Sequence, residues 1–552
     1  MKHRKIFALL LAAATLFSLA ACGEAAAGPE ATPEPATDDG AATVSGQTLT
    51  FGDAADSVFS LSLDYEESLN PVKTQSTLNQ LVDCLVYDRL FEVDENFNVT
   101  SRVLSDWYYS KNEDSAGVWV LRVKDGIQMH DGSTLTAQDV AYSVSCIFTS
   151  EKHKNLQMQI GRVYSSAFNG EVYLATEGAD NAQLPQRMSI PIIKSGSVGD
   201  EVPVGSGPYM YNEDRTALVK FDGYENSESL PLDEVQLRAY RGMEELITEF
   251  ESGLVDLVVN DPTGIYNMGY GGKNEKRVIT TTNLHFIGFN SKSRFFQYDA
   301  YRCAMNWIVN RDKIVSDTLD GNAVATILPI HPNSSLYDTD IASQFSYDPA
   351  RCLTELERGG CRDLDADGML EFALSGMKVD IELNFAVCAD NAAKVQEARK
   401  IAEDMEAIGL YVNLRELTWK NYVAALKTGY IDSDAENPEI QVDMYLAEVA
   451  LTGDWDILTL ISGDWEEDGT LNYGGWDISE LQLLTESYLG ANGDDRATAV
   501  RDWLQYLTTT TPILPVCFET RDVISHLGVI YGMSPTQYDV FNNFAAWSVH
   551  LD

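Results

Sequence analysis

The chain has 552 residues, with 39 Lys and Arg against 84 Asp and Glu, a formal net charge of −45. A surface this acidic repels nucleic acid and anionic lipid headgroups, which excludes polyanion binding as its business. Hydrophobic residues make up 45% of the chain, enough for globular cores, and the length admits two or more domains.

The first residues read as a targeting segment. Lys2, Arg4 and Lys5 precede Ile6 to Ala20, a run that is apolar except for Thr15 and Ser18. It is too short for a membrane-spanning helix and has the layout of a secretory signal. Leu19-Ala20-Ala21-Cys22 resembles the lipobox of bacterial lipoproteins, so Cys22 is expected to carry lipid and to become the new N-terminus. Cleavage after residue 21 removes three positive charges and no acid, taking −45 to −48. Residues 22–47, rich in Ala, Pro, Gly and acids, bury too little apolar area to offset their ordering entropy and are expected to form a tether. Random-coil scaling gives it a reach of about 25–30 Å.

Residues 48–63 suggest two short strands, and Asn70-Pro71 breaks the chain before helical spacing of Leu78, Leu81, Val82, Leu85, Val86 and Leu90. Trp107-Tyr108-Tyr109 falls in a strand, and Trp119, Leu121 and Val123 alternate as the next. His130-Asp131 then invites a general-base or metal reading. The surrounding residues argue for scaffold: Asp131-Gly132 is a turn, and Thr136 to Asp139 is a capping-box pattern that aims Asp139 at backbone N–H groups. "VPVGSGPYMY" (202–211) is a Gly- and Pro-rich entry to a strand, and 242–259 reads as helix, Gly stop and strand. Val379, Ile381, Leu383, Phe385 and Val387 alternate as one strand. A helix stopped by Gly409 and the strand "LYVNLREL" follow it. This β-α-β unit argues for mixed α/β architecture.

Several catalytic and metal signatures are missing. Cys84, Cys146, Cys303, Cys352, Cys361, Cys388 and Cys517 follow no disulfide or Cys-x-x-Cys spacing, and Cys352 and Cys361 are expected to stay unpaired. "DLDADG" (363–368) imitates half of an EF-hand, but its twelfth position is Leu374, where a bidentate Glu is required. There is no G-x-S-x-G or H-E-x-x-H motif. No enzyme, metal or cofactor is expected.

In order along the body, Leu69-Asn70-Pro71, "LVYDRLFEVDENFNV", the 119–144 segment, "VGSGPY" (204–209), "GFN" (288–290), "NRDKIV" (310–315), "YDPARCLTEL" (347–356) and "NYGGW" (472–476) resemble the extracellular solute-binding proteins of family 5, the dipeptide- and oligopeptide-binding group. The resemblance implies a two-lobed, periplasmic-binding-protein-like α/β fold of type II, a flytrap with a subdomain inserted in the first lobe. Mapped here, lobe I is 48–70, 196–283 and 487–552, the subdomain 71–195, and lobe II 284–486. It also implies a monomeric receptor, outside the cytoplasm and held to the membrane by its lipid, that passes short peptides to the permease subunits of an ABC importer. In that family an aspartate beside aromatic residues takes the peptide's amine, which points to Asp454 first and Asp456 second. Trp455, Tyr65, Tyr473 and Trp476 are the candidates for lining the cleft, and Arg294 and Arg302 could meet a carboxylate. The alternatives are a non-peptide solute (a metal chelate, an oligosaccharide or a small cofactor), a surface hydrolase, and a sensor that binds without transport.

Overall fold

The computed structural model describes residues 57–110, 117–150, 160–166, 168–176, 181–265, 267, 269–374, 377–431, 440–463 and 470–551. The signal, Cys22, the tether and the start of the expected first strand lie outside the described residues.

Three large cores and a small fourth around Phe250 organise the described residues. The first gathers around a four-stranded sheet in which Ser60–Leu63 runs parallel to Glu234–Ala239, followed by Ala217–Lys220 and Tyr209–Tyr211. The helix Thr77–Val86 packs Leu81, Val82, Leu85 and Val86 into this core, although the sequence places 71–87 in the subdomain. Ser76 caps it by accepting the N–H of Asn79. The second core covers a four-stranded antiparallel meander of Leu104–Ser110, Val118–Val123, Glu171–Thr176 and Ile160–Ser166 with the helix Ala137–Cys146.

The third core is the largest and lies on one end of a seven-stranded sheet. Its β-α-β unit is Glu382–Cys388, the helix Ala392–Glu406 and Tyr411–Leu417, with the two strands parallel. The 379–387 alternation divides between two sheets: Met377–Asp380 forms a hairpin with Glu371–Leu374, and Glu382–Cys388 joins the large sheet. Residues 487–518, expected in lobe I, also pack here, because Tyr488, Trp503, Leu504, Leu507 and Ile513 are buried among lobe II side chains.

Two long strands, Asn274–Phe289 and Ile513–His526, run from the first core into the third. Ile279 and Val523 are buried in the first, whereas Leu284, Phe286 and Phe518 are buried in the third. Their ladder slips between Thr280 and Leu284. This break is the joint where the strands pass from the first core to the third.

The scaffold readings hold in detail. His130 receives the Gly205 carbonyl at its backbone N–H (2.9 Å), and its Nε2 lies 3.1 Å from the Gly207 oxygen. Asp139 accepts from the Thr136 backbone N–H (2.9 Å) and from the Ser195 N–H (2.8 Å). The seven described cysteines are free. Asp365 and Glu371 of the EF-hand imitation hold the Lys378 ammonium, at 2.5 and 3.0 Å.

Candidate binding cleft

The joint carries a buried charge cluster. The His285 imidazole lies 2.8 Å from both Glu397 and Glu519, and the Asn283 amide donates to Glu519 at 2.9 Å. Lys394 pairs with Glu448, and the Cys517 thiol faces the ring. With a carboxylate at each ring nitrogen, the imidazole donates twice and is an imidazolium. Burial alone would lower its pKa, but Glu397 beside it reverses the sign and holds it well above the ordinary value. Glu519 is shifted the other way: burial raises it, and the hydrogen bond and charge of His285 bring it below the ordinary carboxylate range.

The turn 94–99 faces 333–336, Gly453 and 535–538, and its Phe97 also meets His331 and Trp455. Two cavities remain there, of about 280 Å³ and about 50 Å³, and Phe97 borders both. Phe97 crosses the gap and lays its ring 4.8 Å from Trp455 and 5.2 Å from His331. Both Phe97 (φ 63°) and Trp455 (φ 62°) sit in the left-handed region, which for a bulky side chain costs on the order of 1–3 kcal/mol and clusters at ligand clamps. The turn holds Phe97 there because Asp94 accepts the N–H groups of Asn96 and Asn98, each at 2.8 Å.

Arg187 makes the second bridge. It ends a short 3₁₀ turn, Leu184–Arg187, and its guanidinium pairs with Asp454 and, at 2.7 Å, with Asp456. The neighbouring Gln183 amide donates to the Ala491 carbonyl (2.8 Å), and the Ala182 N–H to the Leu489 carbonyl (2.8 Å). Burial opposes the charge on Arg187, and the two aspartates more than restore it. Asp454 also accepts from the Thr452 hydroxyl at 2.5 Å.

This geometry departs from the expected site. Asp454 has no exposed surface and is already met by Arg187, so an amine would have to displace a guanidinium. Asp456 is held by the same guanidinium. Trp455 is wholly buried against Phe97 and Phe518. Trp476 donates to the Phe289 carbonyl (2.9 Å) and carries Arg302 on its face at 4.1 Å, which removes both from the cleft. Tyr65 is exposed and donates to the Arg215 carbonyl (2.7 Å), and Tyr473 packs at the edge of the third core. None of the six borders either cavity. The residues that border the cavities are not among those the sequence singles out. Phe97 is marked only by its turn, and Arg187 lies 267 residues from its partner, where no spacing rule reaches.

Comparison with known proteins gives a consistent picture. A family model described as "Bacterial extracellular solute-binding proteins, family 5 Middle" matches residues 98–453. Oligopeptide-binding protein AppA of Bacillus subtilis is 23% identical over 385 residues, spanning 64% of this chain and 68% of that protein. Heme-binding protein A of Haemophilus influenzae is 22% identical over 355 residues, 62% of this chain and 59% of its own. Among solved structures, AppA in complex with a nonapeptide superposes with a TM-score of 0.57 at 19% identity, covering 89% of this chain and 98% of that one. The murein tripeptide-binding protein MppA, in its unliganded open form, gives 0.69 at 14% identity, covering 90% and 97%.

Proposed function

This chain belongs to family 5 of the bacterial extracellular solute-binding proteins, and from that premise we propose that it captures short peptides between its lobes, is anchored by lipid at Cys22, and delivers its guests to the permease of an ABC importer. It is a transport component with a two-lobed α/β fold, and it is not an enzyme. A receptor of this kind needs a cleft that excludes water, a few polar groups aimed inward, and lobes that can change places.

The observation that carries the reading is the placement of the cavities. The larger lies between the turn 97–99 with Gln186 and the segments 334–336, 453 and 496, and the smaller reaches Thr280 at the edge of the strand slip, so a swing at the slip changes the space open to a guest. The larger cavity, walled by Asn98, Gln186, Ser334 and Ser335, presents the polar surface that hydrated peptide groups require. The likeness to AppA supports peptides in particular.

Native mass spectrometry of freshly purified protein tests this. Co-purified peptides of mixed sequence are expected. A single defined non-peptide mass would replace the peptide reading with that of another solute, and similarity to a haem-binding protein gives that outcome its weight. Incorporation of labelled fatty acid into the wild type and not into Cys22→Ala tests the anchor.

A further inference from the structure

We propose that Arg496 anchors a carboxylate of the guest, so that this cleft holds its ligand by negative charge and not by an amine. The inference rests on the reading of the larger cavity as the binding cleft.

Arg496 lies in the first turn of the helix Gly493–Thr510 and borders the cavity of about 280 Å³. Its Nε and Nη2 are buried and have no hydrogen-bond partner, and none of the ion pairs among the described residues includes it. These two nitrogens form one edge of the guanidinium, the edge that a carboxylate grips with two parallel hydrogen bonds once the side chain turns it from its buried position toward the cavity it borders. A guanidinium cannot shed its proton to escape burial, so the cost of leaving that edge unmatched is relieved by an anion. Across the same cavity the Gln186 side-chain oxygen is also buried without a partner and is free to accept an N–H. The Ser334 and Ser335 residues complete a wall able to hydrogen-bond to the other atoms of a carboxylate-bearing guest.

The usual objection is that nearby acids would satisfy Arg496 from within. Tyr488 and Asp454 are close enough to act on it electrostatically, yet neither bonds to it: the Tyr488 hydroxyl donates to the Trp455 carbonyl at 2.6 Å, and Asp454 is held by Arg187 and Thr452. Arg187 therefore does two things at once. It occupies the carboxylates that an incoming ammonium would need, and it leaves Arg496 as the unmatched charge at the cavity wall.

The test offers the mature protein two pools of synthetic tetrapeptides of randomised sequence, one with free carboxyl termini and one amidated, read by native mass spectrometry. Free acids are expected to be retained at least about tenfold over amides, and acetylating the amino terminus is expected to change retention less than about threefold. Arg496→Gln should erase the preference, while Arg496→Lys, which keeps the charge and loses the two-pronged edge, should fall between. The comparison of pools needs no variant, so misfolding of either mutant leaves it intact. Retention of only those amides that contain Asp or Glu would sustain the carboxylate and assign it to a side chain. Equal retention of both pools, or a larger loss on acetylation than on amidation, overturns the inference and leaves the peptide reading standing. If neither pool binds, the peptide reading fails, and succinate and glutarate decide the rest. Binding that Arg496→Gln abolishes upholds the anion anchor, and no binding ends it.

Discussion

At the scale of single residues, the two buried ion clusters make opposite demands on a mutation. Replacing Arg187 by Ala leaves Asp454 and Asp456 facing each other without a cation, and removing one partner of a buried pair costs about 3–5 kcal/mol. Arg187→Ala is expected to lower the thermal midpoint by several degrees in water. It should also loosen the contact of the subdomain with lobe II, which a rise in the radius of gyration would report; an unchanged midpoint would mean that water reaches the pair. His285→Gln removes the cation between Glu397 and Glu519. In the wild type the raised pKa of His285 keeps its contribution fully present below the unfolded value, near 6.5, and loses it only as pH climbs through the folded value. The depressed Glu519 contributes above its unfolded value and is lost as pH falls below it. In the variant the two carboxylates repel and take up a proton as pH falls. The gap in melting temperature between wild type and His285→Gln should therefore widen as pH falls from 8 to about 6.5, where the wild type gains from His285, and narrow below that as the variant's carboxylates take up their proton. A gap that stays constant would show that the ring is neutral. Little of this was legible in the sequence. Asp454 and Asp456 stand out as acids beside a tryptophan, but pairing partners such as Arg187 and Glu519 come from distant segments that only the fold brings together.

At the scale of elements the sequence speaks more clearly, because periodicity and capping are local. The capping box at Thr136 to Asp139, the β-α-β unit and the turns at His130-Asp131 and "VGSGPY" form as their residues suggest. The alternation at 379–387 misled for a physical reason. Apolar residues keep the same period on both sides of Ile381, so nothing in the pattern marks the change of sheet. The glycines of "VGSGPY" show what such a motif is for. A Cβ on Gly207 would stand 2.5 Å from the Val86 carbonyl carbon and 2.8 Å from the Leu85 oxygen, both backbone atoms at the end of the helix Thr77–Val86. Gly207→Ala must push that helix end away, at a cost of about 1–3 kcal/mol for overpacking. The expected result is a lower unfolding midpoint with Gly199→Ala, which has open space, as the neutral control. Equal midpoints for the two would show that the helix end yields freely.

At the scale of the molecule, sequence order is a poor guide to where the bodies divide. Residues 71–87 join the first core and 487–518 the third, because a helix is assigned to a body by the face it buries and not by its place along the chain. The two crossing strands of the seven-stranded sheet run through the first and third cores, with their slip at Thr280 to Leu284 as the place where these can swing. Small-angle scattering should accordingly show a molecule that contracts when guests are added. A radius that ignores every guest would argue against the closing motion.

That slip also alters the protection of individual amides. The Thr282 N–H is held by the Gln537 side chain at 2.7 Å and the Asn283 N–H by the Thr281 hydroxyl at 3.1 Å, while their neighbours on either side are bound into the ladder. Side-chain partners let go when Gln537 and the loop that carries it shift with lobe I, whereas ladder bonds survive such a shift. Deuterium from solvent should thus enter at 282 and 283 ahead of 278–280 and 285–288, making two adjacent backbone hydrogens a clock for how often the jaws part.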